Sequence, residues 1–339
     1  MSHTTSKYRL RAPVNVTWEV TYGCNLSCIH CLSDSGKRRQ DELNTAACLQ
    51  LIDMFAKSQV FQLNIGGGEP FSRPDFIDLM DHAHSRGLVT CISTNATLLT
   101  DKLAQRLAHP LVYTQVSLDG AKPQTNDRIR GQGSYARILA GLELLRQQDI
   151  PVSINTVLTR HNFNELDELD DLARSLGAGL RVSRFRPSGR GLSSWKELNI
   201  EASQAAEFSD WLDQHPRVAT GDSFFSVSSE ERNRLGLNMC GAAKLTCCVS
   251  PRGDLYPCAF LQEDDFLAGR LPDQPLHQLW KDAPAFESLR QLEISSCESC
   301  HRLSICNGGC PAIAYHTMGS TEHPDPGCLA QCVKTVVAN

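Results

Sequence analysis

Three cysteines crowded into one short segment, Cys24, Cys28 and Cys31, constrain this chain more than any other feature. They sit in Cys24-Asn-Leu-Ser-Cys-Ile-His-Cys31, directly after the apolar run 14–20. Thiolates spaced this way in one loop can ligate three irons of a 4Fe-4S cluster, which leaves the fourth iron open to a small molecule. An open iron is a site for chemistry, whereas a cluster held by four thiolates mainly carries electrons. The competing reading is a partial zinc site or a set of reduced structural thiols. Zinc prefers four ligands in two knuckles, and His30 points the wrong way if Cys28 and Cys31 share one cage. The spacing favours iron.

The totals narrow the class. A chain of 339 residues has room for one large domain, a smaller one and a well-buried core. With 41% hydrophobic and 21% charged residues and a net charge of −5, it reads as an ordinary globular protein. That charge gives no electrostatic case for nucleic acid or an acidic membrane. The polar stretch 1–11 is not a signal peptide, and no apolar run is long enough to span a bilayer. Fifteen cysteines, an odd number, fit disulfide pairing poorly and fit metal in a reducing compartment well, so a cytoplasmic location is expected.

Along the chain, β-branched apolar runs at 14–21, 60–65, 89–94, 111–118, 152–157 and 180–185 alternate with amphipathic stretches at 45–57, 76–86, 101–108, 135–148 and 165–176. Asn44 or Thr45 suits the cap of the first helix and Ser134 that of the fourth. Six βα repeats predict an α/β fold, a partial (β/α)6 TIM-like barrel with its chemistry at the carboxyl ends of the strands. The pattern breaks after Arg186: residues 187–191 are turn-rich and a polar helix is expected over 201–214. From Cys240 cysteine, glycine and proline dominate, the composition of a small domain held by metals rather than by a large apolar core. The expected division is 13–195, a bridging segment 196–239, and 240–335.

The loop after the first strand resembles that of the radical S-adenosylmethionine enzymes. The C-terminal pattern, Cys240, Gly253, Cys258, Cys297, Cys300, Cys306, Cys310 and Cys328, resembles the SPASM domain, which binds two auxiliary 4Fe-4S clusters. The resemblance implies S-adenosylmethionine and three 4Fe-4S clusters as cofactors. It assigns Cys24, Cys28 and Cys31 to the first cluster. Cys240, Cys258 and Cys310 with one of Cys247 and Cys248 would hold the nearer auxiliary cluster; both thiols compete, and Cys247 is favoured. Cys297, Cys300, Cys306 and Cys328 would hold the outer one. Zinc knuckles remain the alternative for this segment. Cys48 and Cys91 read as buried thiols, and Cys332 is assigned nothing. Gly66, Gly67, Gly68 and Glu69, in the turn after the second strand, resemble the motif that holds the amino group of S-adenosylmethionine, Glu69 acting directly or through the loop's shape. Ser93, Asn95, Ser117 and Asp119 at the next strand ends suit its ribose and methionine head, with helix capping as the alternative. Asn155, Arg160, Arg184 and Arg186 are further candidates, the last two for pairing with a carboxylate. In such enzymes the reduced first cluster cleaves the cofactor's C–S bond, and the carbon radical formed removes hydrogen from an unactivated C–H bond.

Within that family the chain resembles the mycofactocin maturases. The likeness rests on residues 24–37, 64–70, 126–131, 186–191, 221–225 and 236–241. It implies oxidative decarboxylation of the C-terminal tyrosine of a ribosomal precursor peptide, then a carbon–carbon bond to the preceding valine. The expected partners are that short peptide, a separate small leader-peptide-binding protein, since only residues 1–13 precede the first strand, and an electron donor such as flavodoxin or ferredoxin. Residues 186–190 and 221–225 are expected to line the peptide channel, with Asp222 acting on a phenol or amide and Phe224 and Phe225 packing the ring. Another SPASM-type oxidation, thioether crosslinking or formylglycine formation, is the alternative. Ala259 stands where sulfatase-maturing relatives are expected to carry a carboxylate, which disfavours the latter. An iron–sulfur electron carrier without catalysis is the reading from a different class.

Overall fold

The computed structural model describes residues 9–220, 240–301 and 303–328. Six strands form where the apolar runs predict them: β1 (Asn15–Thr21), β2 (Gln62–Gly67), β3 (Val89–Thr94), β4 (Val112–Ser117), β5 (Val152–Leu158) and β6 (Gly179–Arg184). They pair in parallel and in chain order, each neighbour reached through helices: α1 (Thr45–Lys57), α2 (Phe76–Ser85), α3 (Asp101–Leu107), α4 (Pro123–Arg130), α5 (Ser134–Gln147) and α6 (Leu166–Ser175). This is a barrel-like parallel α/β core. Beyond β6 come α7 (Gly191–Leu198) and α8 (Ala202–Gln214), and then a short β7 (Ala219–Thr220) on the outer edge.

Alternation along β1 sorts its side chains. Val16, Trp18 and Val20 are buried toward the helices, where the Trp18 ring meets Phe55 of α1 edge-on at 6.2 Å. Thr17, Glu19 and Thr21 therefore face the concave interior.

Three expectations change. The stretch 123–130 is a helix that periodicity missed; Pro123 at its first position is the signal, since proline loses nothing there. Ser134 does not cap α5. Gly133 holds the cap position, and the Asp127 carboxylate from α4 accepts from the Gly133 and Tyr135 amides and the Ser134 hydroxyl. At α1 the cap is Asn44, which accepts from the Ala47 amide.

The third change concerns residues 240–290. Strand β8 (Thr246–Val249) pairs in parallel with β1, and β9 (Asp254–Tyr256) and β10 (Gly269–Arg270) extend the sheet antiparallel beyond it. The ten-stranded order is β10-β9-β8-β1-β2-β3-β4-β5-β6-β7. Leu255, Leu261, Phe266, Trp280, Phe286 and Leu289 are buried in the same apolar cluster as the barrel. This part of the cysteine-rich segment thus has an apolar core, against the expectation of a metal-held domain, and the sheet crosses the expected boundary. An uncovered β1 edge would leave unpaired backbone groups, which β8 satisfies.

Trp18→Ala would open a large cavity between β1 and α1 and is expected to cost about 3–5 kcal/mol. Urea denaturation measures it; a loss under about 1 kcal/mol would contradict this packing.

Candidate active site

The loop that carries Cys24, Cys28 and Cys31 leaves β1 without regular secondary structure, so its shape comes from what grips it. At its base Cys24 N donates to Gly36 O at 2.7 Å and Gly36 N to Tyr22 O at 2.9 Å. Buried Glu42 accepts from the Thr21 hydroxyl and from the Tyr22 and Arg39 amides.

The glycine-rich turn after β2 docks on the same base. Gly68 N donates to Thr21 O at 2.7 Å and Glu69 N to Gly23 O at 2.8 Å. A Cβ at Gly68 would stand 2.0 Å from Gly23 O, so the approach requires glycine. Glu69 is fully buried and accepts from the Thr94 hydroxyl at 2.8 Å, the Asn95 amide at 2.7 Å and the Phe71 amide at 3.2 Å. Burial pushes its carboxyl up to about 7 against the pull of those bonds. Of its two expected modes, shaping the loop is the one the geometry supports. Asn95 reaches Asn25 Oδ1 at 3.0 Å and lies 3.9 Å from Cys24 Sγ. Gly66, Gly67, Gly68, Ser93, Ser117 and Asn155 stay partly exposed at the strand ends around this loop.

Asp119 and Arg184, both expected around the cofactor, are each engaged by charged or titratable side chains of the chain itself. Asp119 is wholly buried: Oδ1 accepts from Val157 N at 2.8 Å, and Oδ2 lies 2.7 Å from both His30 Nε2 and Arg130 Nε. Burial alone would raise its pKa, but the Arg130 charge and His30 outweigh it and hold the carboxyl near 2. Arg184 forms a two-pronged ion pair with Asp325 at 2.6 and 2.8 Å. Asp325 also accepts from Cys310 N and Gly327 N, so the pair ties β6 to the C-terminal cysteines. Arg160 is turned outward, 3.6 Å from Glu201.

Residues 188–191, within the segment expected beside the peptide, grip the cysteine loop. Arg190 donates to Cys28 O at 2.9 Å and Ser35 O at 3.0 Å and pairs with Asp34 at 2.8 Å. Gly191 N donates to Cys31 O, and the Ser188 and Ser194 hydroxyls donate to Leu32 O and Ile29 O. Gly189 has φ +52, and a Cβ there would meet Leu32 O at 2.3 Å. Asp222, Phe224, Phe225 and Cys332 lie outside the described residues.

Among the C-terminal cysteines, register separates two thiols that spacing left competing. Cys247 pairs with Val16 and so faces the apolar helix layer, whereas Cys248 pairs with Thr17 and faces the interior. Burial, then Glu19, Cys258 and Cys247, push the Cys248 thiol up, and burial with neighbouring Cys240 and Cys310 does the same to Cys258. The expected preference for Cys247 is therefore at odds with where its side chain points. Arg186, which the sequence offers for a carboxylate, lies over the Phe260 ring at 3.5 Å, beside Cys258 and Cys310. Cys297 and Cys300 share one turn.

The thiols suit iron–sulfur clusters. No disulfide joins two of the described cysteines. Burial pushes Cys28 and Cys310 up to about 11, so without metal they stay protonated and metal binding expels protons. Among the described residues no three His, Cys, Asp or Glu side chains converge as a single-ion site. The interior also holds Glu19, buried with one carboxylate oxygen lacking a hydrogen-bond partner, its pKa pushed up to about 7 by burial despite Gln262.

The radical SAM superfamily model matches residues 18–173, and that of an iron–sulfur cluster-binding domain, SPASM, matches residues 240–302. The chain is 44% identical to mycofactocin maturase MftC of Mycobacterium ulcerans, over 95% of this chain and 89% of that protein. It is 30% identical to an AdoMet-dependent heme synthase of Methanosarcina barkeri, over 94% and 97%. The fold is similar to Streptococcus suis SuiB bound to precursor peptide SuiA, with TM-score 0.78 and 21% identity over 94% of this chain and 76% of that one. Among the described residues no helix is long and apolar enough to cross a membrane.

Glu19 gives a pH signature. A carboxyl whose folded pKa is raised stabilises the fold below its unfolded value, about 4.5, and that contribution is lost as pH rises through about 7. Glu19→Gln is expected to flatten this loss, gaining about 3 kcal/mol on the wild type between pH 4 and pH 8. Urea midpoints at the two pH values measure it; parallel slopes would refute it.

Proposed function

This chain belongs to the radical SAM superfamily and, within it, to the mycofactocin maturases, and from that premise we propose a two-stage peptide modification. The first stage removes the carboxyl group of a C-terminal tyrosine oxidatively from a short ribosomal precursor peptide. The second joins that residue to the preceding valine through a carbon–carbon bond. The observation that carries this reading is the 44% identity across nearly the whole of both chains.

Cys24, Cys28 and Cys31 would hold the first 4Fe-4S cluster, and Gly66, Gly67, Gly68, Ser93, Asn95 and Ser117 would surround S-adenosylmethionine. Cys240, Cys248, Cys258 and Cys310 would hold the nearer auxiliary cluster, Cys248 replacing Cys247 on the strength of its direction. Cys297, Cys300, Cys306 and Cys328 would hold the outer one. When bound, these groups supply reductive bond cleavage, hydrogen-atom abstraction and an acceptor for the second substrate electron. The residues of the chain do the positioning. Gly68 and Arg190 fix the loop, and Glu69 fixes the turn against β3. A separate leader-binding protein and a flavodoxin- or ferredoxin-like donor complete the system.

Two measurements test this. Anaerobically reconstituted, reduced chain with S-adenosylmethionine and the precursor peptide should yield 5′-deoxyadenosine and a peptide lighter by carbon dioxide and two hydrogens. Loss of two hydrogens alone would point to thioether or other crosslinking, and no 5′-deoxyadenosine to an electron carrier. Iron should total about twelve per chain; Cys248→Ala should remove about four, and Cys247→Ala should remove none. The reverse pattern would restore Cys247.

A further inference from the structure

Beneath the cysteine loop lies a buried charge cluster to which neither the motif nor the resemblance gives this task. Arg130 ends α4, is almost wholly enclosed, and places NH1 4.0 Å from Cys28 Sγ. Its Nε stands 2.7 Å from Asp119 Oδ2, an ion contact set off the hydrogen-bonding direction. The same carboxylate oxygen takes His30 Nε2 at 2.7 Å, and His30 sits in the loop between Cys28 and Cys31. The backbone repeats the attachment: Ile29 N donates to Ile129 O at 3.0 Å, and Arg130 O lies 4.0 Å from Cys28 Sγ. Asn126 fixes the other side by accepting from Asp119 N at 3.0 Å.

We propose that Arg130 and Asp119 set the reduction potential of the first cluster, Arg130 as a cation on the Cys28 sulfur and Asp119 as the counter-charge that limits it. The proposal rests on the assignment of Cys24, Cys28 and Cys31 to that cluster. Reduction adds negative charge to a group already carrying thiolates, and cluster potentials respond to nearby charge and to hydrogen bonds on sulfur. In a water-poor site a guanidinium a few ångströms away acts at low effective dielectric, so it favours the reduced state. Asp119, in contact with the same guanidinium, opposes it. Opposite signs follow for the two residues, which a merely structural ion pair would not produce. Both are positioning residues, since neither touches substrate.

The test is a redox titration of the reconstituted full chain followed by electron paramagnetic resonance. It tracks the signal that S-adenosylmethionine perturbs, with iron counted per chain. Arg130→Gln is expected to lower the reduced-to-oxidised ratio of that cluster at a fixed potential tenfold or more, about 59 mV for one electron. Arg130→Lys should restore most of the ratio, and Asp119→Asn should raise it. If Arg130→Gln sheds iron, the other two variants decide: a raised ratio in Asp119→Asn supports the proposal and an unchanged one overturns it. Iron-replete variants at the wild-type potential, shifts of the same sign, or iron loss in all three would each overturn it. A wild type with no such perturbed signal would instead remove the cluster assignment beneath it.

Discussion

A loop that carries three sulfurs has no backbone ladder of its own, and the rest of this structure depends on outside groups holding its peptide units. Buried carbonyls and amides must find partners. Here they find them on three elements: Gly68 and Glu69 at the end of β2, Ile129 at the end of α4, and residues 188–194 after β6. Arg190 donates to the carbonyls of both Cys28 and Ser35. The loop is therefore fixed by sequence-distant hydrogen bonds, and the glycines at 68 and 189 stand where those contacts leave no room for a side chain.

The six βα units were legible because each strand is a compact β-branched run and each helix repeats its apolar residues at helical spacing. Helix α4 was not, because Pro-Gln-Thr-Asn-Asp-Arg-Ile-Arg offers one large apolar residue, Ile129, and so no stripe. The strand pairing of 246–249 was hidden by its cysteines, which composition assigns to metal although Cys247 packs as a small apolar side chain.

At the site, the cysteines and the glycine-rich turn were legible as motifs, but the direction of each charge was not. Position at a strand end places Asp119 and Arg184 near the chemistry without saying what neutralises them. Their partners are Arg130 and His30 for one and Asp325 for the other, the last 141 residues away in sequence. Nothing in the spacing marks Asp325, which gathers Arg184, Cys310 N and Gly327 N on one carboxylate. Residues 188–191 stand out in the sequence by an arginine between two glycines, and only the fold shows that they serve the N-terminal loop.

The same contacts determine how the two cysteine-bearing segments move relative to each other. Separating them would break the ladder between β1 and β8, open an apolar cluster common to both, and pull apart the Arg184–Asp325 ion pair. The exposed apolar surface and the unpaired strand edge make that separation costly. Domains joined by small polar surfaces are expected to move as hinged bodies, but a shared sheet does not allow that freedom. The distance between the thiols at 24–31 and those at 240–310 is therefore set by the fold itself. For chemistry that removes one electron from a substrate at one place and must deliver it to another, a fixed separation keeps the route from varying between turnovers.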